Sequence, residues 1–145
     1  MTTPEYISRE EVQRVCDQLG IRDWTKLSRA EVELDEAKII QQLVGSEALE
    51  ISAEEFKRGL EIELEHGIGF PDANVTNNHP VLTGKIVLAH LKETLDYYTR
   101  LEIAEIEGDL LKAVVSGDQA KLEKKYQALL KARFLLSARE KEQIK

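Results

Sequence analysis

A single cysteine, Cys16, stands in a chain of 145 residues. That excludes an intramolecular disulfide and a cysteine-rich zinc module. Three prolines and eight glycines are too few for a collagen-like or low-complexity chain. Aromatic residues make up only 6%, so a core has to come mostly from Leu, Ile, Val and Ala. No apolar run approaches the ~18 residues that a membrane-spanning helix needs. Cationic excess is also missing: Lys and Arg number 20 against 27 for Asp and Glu, a net charge of −7. A nucleic-acid partner is therefore not expected, because phosphate binding needs a cationic footprint. The start, Met1-Thr2-Thr3-Pro4-Glu5, has no basic region followed by an apolar run, so no signal peptide is expected. Together these absences predict a cytoplasmic protein with no nucleic-acid or membrane partner.

What is present points to helices. The chain is 42% hydrophobic and 32% charged, and its length fits one domain over residues 1–145. Ser8 with Glu11 forms a capping-box pattern before Arg9 to Leu19, which Gly20 can close. Val12, Val15, Cys16 and Leu19 share one stripe there, so Cys16 reads as a small core residue. Ser28 with Glu31 repeats the pattern before Ala30 to Val44, and Ser52 with Glu55 repeats it before Ala53 to His66. The segment from Gly67 to Pro80 is rich in Gly, Pro, Asn and Asp and reads as a loop. Helix resumes near Val81 and runs to about Ala113, with a bend on the way left open. Ser116-Gly117-Asp118 is a break, Gln119 to Leu136 a last helix, and the charged tail beyond it is expected to fray. The prediction is an all-α, compact helical bundle of about five helices.

Few ionisable residues fall on apolar helix faces, and those few are the candidates for function. At about 100° per residue, Phe56, Leu60 and Leu64 make one stripe with Glu63 inside it. His66 sits one turn further on its flank, giving Glu-x-x-His. On the following helix, Ile86, His90, Glu93, Tyr97 and Leu101 share one face, while Leu88, Leu91, Leu95 and Tyr98 form another. A helix packed on two sides would bury His90 and Glu93, a His-x-x-Glu pair. An unpartnered buried carboxylate costs several kcal/mol, so these residues need a partner. A divalent metal (Zn, Fe or Mn) is one, held by Glu63, His66, His90 and Glu93, with Tyr97 beside it as a hydrogen-bond donor. The second motif is inverted relative to the di-iron template, and no further Glu is clearly core-facing. A single metal, or a site completed across a dimer, suits the residues better. The alternative is metal-free: Glu63 pairs with His90, and Glu93 with Arg100 or His66. His79, in the loop beside Pro80, can swing onto the same site, although a lone loop histidine is more often at the surface. Asp72, Asn74 and Asn77 lack the Glu and Gly of a calcium loop. Asn74-Val75-Thr76 is a glycosylation sequon that matters only on secretion.

The boxes Glu63-Leu64-Glu65-His66-Gly67, Lys85-Ile86-Val87-Leu88-Ala89-His90-Leu91-Lys92-Glu93 and Asp96-Tyr97-Tyr98-Thr99-Arg100-Leu101 resemble a small uncharacterised domain family of bacterial and phage proteins, a domain of unknown function. The likeness covers about residues 52–105, with Phe56 to Leu60 similar to the family's lead-in and Asn74 to Thr76 to its loop. Where the family often has Pro before Asp-Tyr-Tyr, this chain has Leu95, so a helix break there is left open. The resemblance implies no activity, but it groups His66, His90 and Glu93 in one constellation.

Two functions are carried forward. The first is a metal-binding helical protein with a buried Glu/His site between two helices, hydrolytic or oxygen-related if an open metal position activates water or dioxygen. The second is a non-catalytic interaction or accessory module, of phage or plasmid type, whose Glu/His cluster is structural. The last helix is apolar at Leu122, Tyr126, Leu129, Leu130 and Phe134; it packs on its own core or serves as the arm of a homodimer.

Overall fold

Helix boundaries follow the capping chemistry at most ends. The computed structural model of the protein describes residues 6–144; the expectation about the first five residues lies outside the described residues. Helix α1 spans Arg9–Leu19, with the Ser8 side chain accepting from Glu11 N and Gly20 left-handed at the end. Helix α3 spans Ala53–Gly69, with Ser52 accepting from Glu55 N. Helix α2 is Leu34–Val44, α4 Pro80–Glu93, α5 Tyr97–Ser116 and α6 Gln119–Gln143. Short 3₁₀ turns lie at Trp24–Lys26, Ser46–Leu49 and Pro71–Ala73. The chain is all-α, with six helices and no strand among the described residues. None of the described helices is long and apolar enough to cross a membrane.

Helix α3 runs on to Gly69 rather than stopping at His66, and three further boundaries depart from expectation. Helix α2 starts at Leu34, not Ala30, because Glu33 and Glu36 form the capping box, while Val32 is buried and its N–H donates to Glu61 Oε2 at 3.2 Å. The helix expected from Val81 to Ala113 is broken at Thr94, which is extended at φ −157°, and Asp96 then opens α5 by accepting Arg100 N–H. The tail is helical to Gln143. It is built from good helix formers, and Glu140 lies 3.6 Å from Arg100.

The chain divides into two compact units, Met1–Leu95 and Asp96–Lys145. In the first, α2 packs on α3 and α4, and α3 packs on α4. Its core is Val12 and Cys16 of α1, Trp24, Ala37 and Ile40 of α2, Phe56, Leu60 and Leu64 of α3, and Val87 and Leu91 of α4. Cys16 is a core residue as its stripe implies, and burial pushes its thiol pKa up. Gly84 lets α4 approach α2: a Cβ there would meet Ile40 Cγ2 at 2.5 Å and Val44 Cγ1 at 3.2 Å. Glu36 is a buried carboxylate with its bonds satisfied. It accepts from Arg22 Nε at 3.0 Å, Arg22 Nη2 at 2.7 Å, Arg22 N at 3.2 Å and Glu33 N at 3.0 Å.

The second unit is an antiparallel hairpin. Gly117 is left-handed, and the Asp118 side chain accepts from Lys121 N to start α6. Ile106, Leu129 and Ala132 form its buried seam, flanked by Ile103, Leu110 and Ala128. Lys125 Nζ reaches Asp109 at 3.0 Å.

Candidate functional site

Helices α3 and α4 of the first unit bring one sequence-derived pair together. Glu63 Oε1 lies 3.3 Å from His90 Nε2. Both side chains are partly exposed, 17% for Glu63 and 30% for His90. The pairing follows from packing. Phe56, Leu60 and Leu64 are buried on α3, and Thr83, Gly84, Val87 and Leu91 on α4, which sets Glu63 and His90 on the margin of the shared seam.

Two other candidates of this unit stand in solvent. His66 and Glu93 are exposed, which corrects the expectation that two packed faces of α4 bury Glu93. The close approach at Gly84 selects a single buried face through Thr83, Gly84, Val87 and Leu91. The helix ends at Glu93, so the stripe through Tyr97 and Leu101 does not continue. Ile86 and Leu95 are exposed at 38% and 52%. Among the described residues, no group of three or more His, Cys, Asp or Glu side chains is placed to hold a metal ion. Tyr97 and Arg100 belong to the second unit. Tyr97 meets Tyr98 edge-on, with ring centroids 5.1 Å apart. The Arg100 fork holds Asp96 at 2.9 and 3.1 Å.

His79 is the largest reassignment. It is buried, not a surface loop residue. It caps α4, Nδ1 accepting from Val81 N at 3.2 Å and Leu82 N at 3.3 Å. A cap of this kind needs the Nδ1 lone pair, hence the neutral ring. Burial lowers its pKa from the ordinary 6.5, opposed by Glu11 and reinforced by Arg14. Below that ordinary value the unfolded chain takes up a proton that the folded chain resists. Stability present above it is therefore lost as pH falls through the folded pKa. Urea midpoints measured between about pH 7.5 and about pH 5.5 are expected to drop more steeply for the natural chain than for His79→Asn, which keeps a capping acceptor without a titrating ring. Equal slopes would contradict this role.

Beside the Glu63–His90 pair lies an open cleft of about 130 Å³, lined by Glu63, His66, Asn74, Thr76, Asn78 and Thr83 among others. It is well below the ~300 Å³ where ordinary small-molecule sites begin. Its floor is an asparagine latch. Asn74 Nδ2 donates to Asn78 Oδ1 at 2.9 Å, and Asn78 Nδ2 to the Trp24 carbonyl at 3.2 Å. Asn77 Nδ2 donates to the Ile7 carbonyl at 2.6 Å. Asn77 and Asn78 both have positive φ, which Asn tolerates better than most residues. Gly67 makes room for this latch: a Cβ would meet Asn78 Oδ1 at 2.8 Å and Asn74 Cγ at 2.9 Å. The adjacent Asn-Asn was the sequence signal for this contact; Gly67 reads in sequence as the start of the loop and lies within α3.

The chain belongs to a family described as a protein of unknown function (DUF5661), whose model matches residues 12–107. The match takes in α2, most of α1 and the first half of α5, well beyond the 52–105 span of the motif boxes, and leaves α6 outside. No curated protein and no solved structure matches the chain.

Proposed function

We propose that the chain is a non-catalytic helical interaction module, in which Glu63 and His90 serve as a polar clasp between α3 and α4. The observation that carries this reading is the 3.3 Å contact between Glu63 Oε1 and His90 Nε2, formed while His66 and Glu93 stand exposed. A structural zinc site takes four ligands, and a catalytic one three plus water. A clasp needs only two groups, each meeting the other's hydrogen-bonding demand at a half-wet seam.

The test is elemental analysis of untagged protein together with thermal melts. The clasp reading expects substoichiometric metal and a melting temperature unmoved by added zinc, iron or manganese. Stoichiometric metal that disappears in His90→Ala would overturn it in favour of a metal centre.

A further inference from the structure

The hairpin of α5 and α6 leaves several large apolar side chains outside its own seam. Ile106, Leu129 and Ala132 are buried, whereas Leu111, Val114 and Val115 on α5 and Tyr126, Leu130 and Phe134 on α6 are exposed by 50% or more. The pattern is ordered. Tyr126, Leu130 and Phe134 follow at four-residue spacing, giving α6 an apolar stripe over two turns, and Leu111 and Val115 give α5 one of a single turn. A stripe of this kind in water is a contact surface.

We infer that this surface docks a second copy of the same hairpin, giving a two-fold, four-helix arrangement. This rests on the reading of the chain as an interaction module and names its partner. The charges flanking the stripes select the partner. Beside the α5 stripe stands the carboxylate Glu107, and beside the α6 stripe stand the cations Lys131 and Arg133, while Asp109 and Lys125 are already paired within the hairpin. Glu107 lies one turn before Leu111, and Arg133 one turn after Leu130. Both are exposed. One surface that carries an apolar centre and both charge signs is complementary to itself. A two-fold axis sets α5 of one copy against α6 of the other, pairing carboxylates with cations. Two hairpins joined in this way bury the stripes as the core of a four-helix bundle. Helix α6 and the exposed apolar residues of α5 lie outside the family match.

Sedimentation equilibrium of the full chain, in chelator, measures the mass. The expected result is a dimer of twice the 16.5 kDa chain mass, weakening as salt is raised. Leu130→Glu with Phe134→Glu is expected to give monomer with unchanged helical circular dichroism. Leu111→Glu, on the other helix, is expected to do the same. A natural chain that stays monomeric at high concentration overturns the inference. So does a dimer that survives these substitutions, since it must form elsewhere. Either failure leaves the metal analysis of the Glu63–His90 clasp untouched, and stoichiometric metal would overturn the clasp without changing the mass.

Discussion

Arg22→Met is expected to destabilise the first unit by about 2 kcal/mol, the order of cost for leaving a buried acceptor short of its partner. The estimate follows from the asymmetry of the pair. The Glu36 side chain is 4% exposed and that of Arg22 is 41% exposed. Removing the guanidinium leaves the carboxylate sealed in with only the Arg22 and Glu33 backbone donors, a set too small to replace hydration. In the natural chain, burial opposes ionisation of Glu36. The hydrogen bonds from Arg22 and from the Glu33 backbone outweigh burial and hold its pKa below the ordinary 4.5. A depressed carboxylate pKa gives stability that is full above the unfolded value and lost as pH falls through the folded one. Glu36→Gln is therefore expected to cost less than Arg22→Met and to flatten the acid limb of the stability curve. The double variant Arg22→Met with Glu36→Leu is expected to recover part of the loss, because no charge is then stranded. Urea unfolding of the four proteins checks this. Equal costs for the single variants, with no recovery in the double, would show that the pair is not coupled.

Gly84→Leu is expected to cost about 3 kcal/mol or more, and Gly84→Ala about 1–2 kcal/mol. Ala would ordinarily help a helix by up to ~1 kcal/mol over Gly, so even a small net loss signals a steric limit. The limit is Ile40: its Cγ2 would sit 2.5 Å from the new Cβ, and a β-branched side chain in a helix has little rotamer freedom with which to retreat. Helices α2 and α4 must then part, loosening the seam that also contains Phe56, whose Cζ lies 3.7 Å from the same point. Ile40→Ala placed on Gly84→Ala is expected to be less damaging than on the natural chain. Thermal melts of the four proteins measure that coupling. Additive losses would mean that the two sites do not meet.

Local chemistry was readable from the sequence, and long-range chemistry was not. Ser8, Gly20, Ser52 and Gly117 act at helix ends as their types require, because a cap is a contact between residues two to four apart. The Ser28 pattern gave way to a second local one, the Glu33–Glu36 capping box, whereas the Arg22–Glu36 pair spans fourteen residues and carries no periodic signal. The break at Thr94 was hidden for a related reason: Lys92 to Asp96 contains no Gly or Pro. The Glu63–His90 contact was among the pairings that helix geometry allowed, since both lie beside their apolar stripes. The exposure of Glu93 was not foreseeable, because it depends on which face of α4 meets α2, and Gly84 decides that through a close approach visible only in three dimensions. His79 misled because a buried cap and a surface loop residue look alike before the loop is folded.

The most direct measurement is a double-mutant cycle on Glu63 and His90, using Glu63→Gln and His90→Gln, in protein stripped with chelator. A clasp predicts a coupling of about 0.5–1 kcal/mol with no ion present, modest because both side chains touch water. Coupling that is absent in chelator and appears only when a divalent ion is added back would contradict a clasp and identify the pair as ligands.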